Sequence, residues 1–382
     1  MKKIVVYSCG DSCDISTWSN VPYLFTQELE WRGYELYRVN IEPNRVLNRI
    51  FNTLSFKIYK KLLGSHACPI FARTWLHRFL TYRKLKQISK MYPDADLHLF
   101  LSFAFTNPYS NAPSVLWCDW PDATVIERLG REPESYEKKA LEHEAMVIKS
   151  ARLVYSMFPC CAEDMRHKFN RDIIYLNRNV VNTVYNGLFD LQTKIHISFL
   201  SQKILFIGNH RYKTAAEDLL RAFFMLSREF PKLELHIIGM TARELGIEEN
   251  QPSVKCYGYL HKNIEAESRL YYALLLSAKV LVNPAVQWGA FSSSIEAMFY
   301  GTPVIVAPYE DFCKTFGDRI NFGFYLNNSA KLENVLAQVI SAPREKYEAW
   351  AKNANACVSD YTWTNYITAF IDSLRSHGIS GV

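Results

Sequence analysis

Lys203-Ile204-Leu205-Phe206-Ile207-Gly208-Asn209-His210-Arg211-Tyr212-Lys213 is an apolar run stopped by a glycine and followed by a helical pattern to Phe230. It reads as strand, turn and helix, the repeating unit of a parallel sheet covered on both faces. The same alternation extends in both directions. After it come strand patterns at Leu233–Ile238, Val254–Tyr257, Val280–Val282 and Pro303–Val306, with helices at Glu265–Ser277 and Ser292–Tyr300. Before it stand strand patterns at Lys3–Cys9, Tyr34–Ile41, Leu97–Phe105, Ser114–Cys118 and Leu153–Tyr155. Helical patterns at Pro22–Arg32, Glu132–Lys149 and Cys161–Phe169 separate some of these, and the pattern blurs from Asn177 to Leu200. Helical segments Ala330–Ile340, Arg344–Val358 and Trp363–Leu374 close the chain. The 382 residues suit two domains. The fold expected is α/β, two doubly wound Rossmann-like domains facing a cleft. The expected divisions are 1–190, with a basic insertion at about 44–92; 191–360; and a helix over 361–382 packing back on the first domain.

Composition bounds the class. Apolar residues at 49% and charged residues at 21% exclude a disordered or fibrous chain. The nine cysteines include no Cys-x-x-Cys, which supports neither a disulfide framework nor a zinc ribbon. The longest stretch free of Asp, Glu, Lys and Arg, Leu97–Cys118, contains Pro108 and Pro113 and is no spanning helix. The start lacks the apolar length of a signal peptide. A cytoplasmic protein is expected.

Charge is uneven. No acidic residue lies between Glu42 and Asp94, while eleven Lys and Arg do, so the net +6 leaves −5 for the rest of the chain. Aromatic residues such as Phe51, Tyr59, Trp75 and Phe79 interleave with the cations. Such a segment is drawn to an anionic membrane surface, or is simply the solvated side of helices packed inward. No recognisable nucleic-acid module accompanies it, and nucleic acid is not an expected partner.

Two stretches carry chemistry. In the first, Arg211 and Lys213 follow Gly208 at a strand's carboxyl end, where open α/β sheets bind ligands, and a guanidinium with an ammonium can hold phosphate. The Walker and Gly-x-Gly-x-x-Gly patterns are missing. The second is Gln287-Trp288-Gly289-Ala290-Phe291-Ser292-Ser293-Ser294-Ile295-Glu296-Ala297-Met298-Phe299-Tyr300-Gly301-Thr302-Pro303, a loop entering a helix at the serines. The first-turn N–H groups there form an anion site, and Glu296 one turn in can accept hydrogen bonds from a vicinal diol. Ser293-x-x-Glu296 is equally a capping box, and local spacing does not separate the two.

Together these parts resemble the donor-nucleotide domain of retaining glycosyltransferases of family 4, which have the GT-B fold. The resemblance rests on Gly208…Arg211…Lys213 and, later, Glu296-Ala297-Met298-Phe299-Tyr300-Gly301-Thr302-Pro303-Val304. It implies that Arg211 and Lys213 contact the donor diphosphate and Glu296 the ribose, and that the amides near Ser292, Ser293 and Ser294 meet the distal phosphate. Gly208 and Tyr259 are counted with the donor-binding residues. In the first half, Val21-Pro22-Tyr23 and Trp117-Cys118-Asp119-Trp120-Pro121-Asp122-Ala123-Thr124 resemble a bacterial-type branch of the same family and make Asp122, with Asp119 behind it, the acceptor-side carboxylate. As a residue after Pro121, Asp122 is equally a turn former.

Three departures stand out. Eight residues before Glu296, where the family carries a first Glu, stands Trp288; Gln287 can substitute by hydrogen bonding, or Trp288 can stack on a sugar face. Asn209 replaces a common Arg, with one residue fewer before Lys213, and Asn20 replaces a glycine before the first helix. The implied activity is hexosyl transfer from a nucleotide diphosphate sugar to the hydroxyl of a glycan or lipid-linked glycan, retaining and independent of metal, with no cofactor beyond the donor substrate. A nucleotide-sugar epimerase, a phosphorolytic enzyme and a degenerate nucleotide-sugar-binding protein of the same shape stay open as rivals.

Overall fold

The computed structural model describes residues 2–62, 68–249, 251–286, 291–326 and 331–379. Gln287, Trp288, Gly289 and Ala290 of the loop before the serines lie outside the described residues, as do 63–67 of the basic segment, Ala330 and the last three positions. The chain divides into two compact units: Met1–Asn179 with Trp363–Val382, and Val180–Thr362. The sequence reading set this boundary at 190 and the return at 361.

Unit 1 is built on β1 (Lys3–Ser8), β2 (Glu35–Asn40), β3 (Leu97–Phe100), β4 (Ser114–Cys118) and β5 (Leu153–Ser156), with α1 (Val21–Trp31), α2 (Arg45–Ser55), α3 (Trp75–Met91), α4 (Asp122–Arg128), α5 (Ser135–Ser150) and α6 (Pro159–Phe169). The strands pair in parallel in the order β2-β1-β3-β4-β5. β3 is buried along its whole length, as a strand covered on both faces must be. It ends at Phe100. Leu101 and Phe105 stay buried but leave the ladder through a turn in which Ser102 Oγ accepts the Ala104 N–H, so the expected strand to 105 is too long. The helix expected from Glu132 begins at Ser135, because Glu134 and Glu137 form a capping box there.

Unit 2 contains β6 (Lys203–Ile207), β7 (Glu234–Ile238), β8 (Val254–Cys256), β9 (Val280–Asn283), β10 (Val304–Val306) and β11 (Gly323–Tyr325). Its helices are α7 (Leu191–Leu200), α8 (Lys213–Leu226), α9 (Ala242–Leu245), α10 (Glu265–Ser277), α11 (Phe291–Phe299), α12 (Glu310–Phe316), α13 (Leu332–Ile340) and α14 (Arg344–Val358). The strands are parallel in the order β11-β10-β9-β6-β7-β8. α7 occupies the stretch where the sequence pattern blurs, and the reason is visible in its burial. Lys194 and Ser198 face inward beside Ile195 while Ile197 and Leu200 face water, so polar and apolar residues are mixed on both sides and no amphipathic stripe stands out. Burial holds the Lys194 ammonium well below its usual pKa, and its Nζ donates to Thr302 Oγ1.

The chain returns to unit 1 as α15 (Trp363–Ser376). Its apolar stripe of Trp363, Tyr366, Ile367, Phe370 and Leu374 is buried, with Phe370 and Trp363 edge-on to Phe25 of α1. Polar bonds fix the register. Trp117 Nε1 donates to the Tyr366 hydroxyl at 2.7 Å, and Arg32 donates to the Thr364 carbonyl at 2.7 Å and to Thr368 Oγ1 at 2.8 Å. A buried indole N–H needs such a partner, and the residue supplying it is 249 positions away.

The carboxyl ends of β6 and β7 approach unusually closely. Gly239 has φ +102°, and a Cβ there would stand 2.5 Å from the Gly208 carbonyl oxygen. Gly239→Ala should therefore lose about 2–3 kcal/mol and lower the unit 2 melting temperature by about 5–10 °C. Gly246→Ala, also at positive φ but with open space around it, should lose only about 1 kcal/mol. Differential scanning calorimetry compares them, and equal losses would contradict the close-approach account.

Candidate functional site

In unit 2 the chain runs from β6 outward to β7 and β8, then returns to the other side of β6 for β9, β10 and β11. The connections after β6 and β9 thus leave in opposite directions from neighbouring strands, the point at which open α/β sheets bind ligands. Asn283 ties the two ends together, its Nδ2 donating to the Ile207 carbonyl at 3.3 Å.

On the β6 side, the turn is built by its own residues. Asn209 Oδ1 accepts the Arg211 N–H at 3.0 Å, so the asparagine after Gly208 shapes the turn locally. A Cβ at Gly208 would press on Phe206 and Tyr212 at 3.0 Å. His210–Tyr212 make one tight turn and α8 starts at Lys213, so the first N–H groups of a fourteen-residue helix open at the carboxyl edge. Arg211 is exposed. The Lys213 side chain is 49% exposed, and its ion pair with Glu217 at 3.7 Å is a loose one along the helix surface.

On the β9 side, α11 begins at Phe291, so the serines stand in its first turn, Ser292 exposed and Ser294 buried. Glu296 is buried. Lys262 Nζ lies 2.9 Å from its Oε1 and 3.1 Å from its Oε2, and the Tyr271 hydroxyl donates to Oε2 at 2.7 Å. The Lys262 ammonium also sits 4.2 Å from the Tyr271 ring centroid. Burial, with the Glu296 charge behind it, raises the Tyr271 hydroxyl well above its usual pKa, so it stays a donor. Lys262 escaped the sequence reading: it stands 34 positions from its partner, in the connection between β8 and α10, where no periodicity points to it. Tyr259 lies in the same connection with its ring exposed, edge-on to His261 at 4.8 Å.

Unit 1 holds Asp122. It is the first residue of α4, after the carboxyl end of β4, and its two oxygens accept a forked pair of bonds from Arg73 at 2.9 and 2.7 Å. Arg73 also donates to Glu137 at 2.9 Å, and Arg131 grips Glu137 at 2.7 and 2.8 Å. Burial opposes the Glu137 charge, but Arg131, the Glu134 N–H and Arg73 hold its pKa below the ordinary value. Glu144 accepts the N–H groups of Asp122 and Ala123 at 2.8 and 3.3 Å; burial, followed by the Asp122 charge, raises its carboxyl to about 8. Asp122 is 40% exposed on its side chain, and each oxygen keeps a lone pair beyond the Arg73 fork. Asp119 is spent locally on the Trp120 N–H and the Cys118 thiol.

The sheet of unit 1 reverses between β1 and β3. After β1, Trp18, Ser19 and Asn20 have φ of +40°, +53° and +72°. Asn20 therefore takes a left-handed conformation, which glycine adopts freely and Asn tolerates better than most residues. An open depression lined by Ser89, Pro93, Asp96, Tyr109 and Arg152 lies at the opposite, amino edge of this sheet and includes none of the residues above. Among the described residues no group of three His, Cys, Asp or Glu stands ready to hold a metal ion. No described helix is long and apolar enough to cross a membrane.

Residues 197–356 match the family model for glycosyl transferases group 1. No curated protein matches the chain. Among solved structures, the sucrose-phosphate synthase of Thermosynechococcus elongatus superposes with a TM-score of 0.66 at 14% identity, over 98% of this chain and 100% of that one. The α,α-trehalose 6-phosphate synthase of Burkholderia multivorans gives 0.64 at 9% identity, over 100% and 99%. Anabaena HepE, solved in complex with UDP-glucose, gives 0.62 at 15% identity, over 98% and 100%. The fold is that of the GT-B glycosyltransferases, with two Rossmann-like α/β units.

The buried pair at Glu296 has a measurable consequence. Lys262→Met should cost about 3 kcal/mol in denaturant unfolding, because it strands a buried carboxylate. The double variant Lys262→Met/Glu296→Gln should recover most of that loss. Additive losses would contradict the pairing.

Proposed function

We propose that the chain is a glycosyltransferase moving a sugar from a nucleotide diphosphate donor to a hydroxyl of a glycan or lipid-linked glycan, with retention at the anomeric carbon, in the manner of family 4. The observation that carries this reading is the pair of helix starts, α8 behind Arg211 and Lys213 and α11 behind Ser292 and Ser293, opening on either side of the strand reversal in unit 2. The family match over residues 197–356 supports it, and a UDP-glucose complex of a similarly folded protein supports the donor class.

In the proposed reaction the bond from the anomeric carbon to the diphosphate breaks, the acceptor oxygen bonds to that carbon, and the acceptor's proton passes to the departing diphosphate. Charge grows on the departing diphosphate. Arg211, Lys213 and the helix-start N–H groups meet it, which stabilises the transition state more than the ground state. These cations do the work that a divalent metal does elsewhere, and the donor is a substrate, so no resident cofactor enters the proposal. Glu296, steadied by Lys262 and Tyr271, would accept from the ribose diol. Asp122 is locked by Arg73 and would orient an acceptor hydroxyl through its outer lone pairs.

Lys213→Ala should cut release of nucleoside diphosphate at least about 100-fold with the melting temperature unchanged, because the side chain is half exposed and loosely paired. Full activity in that variant overturns the reading. Conversion of the donor without acceptor would favour the epimerase instead.

A further inference from the structure

We propose that α2 and the turn after it, Phe56–Leu62, form a docking face for a bilayer bearing anionic lipid. An amphipathic helix ordinarily turns its apolar side to the core. α2 does the opposite. Val46, Leu47, Ile50 and Leu54 recur at the spacing of one helix face. They are 65%, 39%, 54% and 54% exposed. The helix is attached through its other side: the Phe51 ring packs on buried Phe71 with centroids 5.8 Å apart, Asn52 Oδ1 accepts the Phe71 N–H at 2.8 Å, and the Ser55 hydroxyl donates to the Pro69 carbonyl at 2.6 Å. Ser55 is its one buried residue. Asn44 caps the start by accepting the Val46 and Leu47 N–H groups, so the element is formed and held with its apolar side to water.

The occupant follows from charge. Ile58 extends the apolar face into the next turn, where Phe56, Lys57, Lys60 and Lys61 are also exposed. Arg45 and Arg49 flank it on α2, also exposed, and no acidic residue lies from Pro43 to Pro93. A second copy seated on this face would bring the same five cations against their like. Nucleic acid would meet the cations but leave the aliphatic side chains in water. A bilayer with anionic headgroups satisfies both, taking the aliphatic face into the acyl boundary and the cations at the headgroups. α3, entered through the Phe71–Arg73 turn, adds exposed Trp75 and Phe79 one helical turn apart. The proposal stands on this face alone, whatever reaction the chain catalyses.

Sedimentation of the full chain with large unilamellar vesicles tests it. Vesicles of phosphatidylcholine with 30% phosphatidylglycerol should bind at least ten-fold more protein than phosphatidylcholine alone, and raised salt should weaken that binding. Ile50→Asp/Leu54→Asp should lose it at least ten-fold with an unchanged melting temperature, since both side chains are exposed; Lys57→Gln/Lys60→Gln/Lys61→Gln should lose less and become less sensitive to salt. Equal binding to both vesicles, equal binding by the Ile50/Leu54 variant, or self-association that this variant abolishes in the absence of vesicle binding would each overturn the proposal. No transfer is measured, so the result is separate from the assignment of the reaction.

Discussion

A parallel sheet that reverses its strand order leaves a gap at its carboxyl edge that no connection can cover. In unit 2 that gap falls between β6 and β9, and Arg211, Lys213 and the serines before Glu296 stand on the connections that leave those two strands. What keeps the edge in shape is backbone contact: Gly239 fits against the Gly208 carbonyl, the Gly208 N–H bonds to Ile238, and Asn283 bonds to Ile207. Those contacts aim the start of α8 outward. The cations of the turn then add to the positive end of a helix already placed by the sheet.

Both units tether a carboxylate with a cation from a distant segment. Lys262 closes on Glu296 in unit 2 and Arg73 on Asp122 in unit 1. The two cases differ in burial. The Glu296 pair is enclosed and cannot lose one partner without leaving an unpaired charge. Asp122 is partly open to water, and its fork with Arg73 fixes geometry more than energy. Each carboxylate is thereby oriented before any ligand arrives, which is the condition for precise hydrogen bonding to a diol or a hydroxyl.

The local parts of this arrangement were legible in the sequence. The apolar run ending at Gly208, the serines before Glu296 and the stripe of the last helix all follow backbone periodicities and turn chemistry, which act over a few residues. Pairings over long separations were not. Nothing near Glu296 names Lys262, nothing near Asp122 names Arg73, and the strand order that makes the turn after Ile207 a candidate site is a property of the whole sheet. α7 escaped because Lys194 and Ser198 point into the core. The basic segment shows its charge in the sequence, but only the structure shows that α2 is fastened by the side opposite Ile50 and Leu54.

The central claim is that the carboxyl edge of unit 2 recognises the diphosphate of a nucleotide. Thermal unfolding of the intact chain with UDP, GDP and ADP, each beside its own nucleoside at equal concentration, tests this directly. At least one diphosphate should raise the melting temperature, by less in high salt, while its nucleoside leaves it nearly unmoved. A nucleoside as effective as its diphosphate, or no response to any of the three diphosphates, would contradict the account.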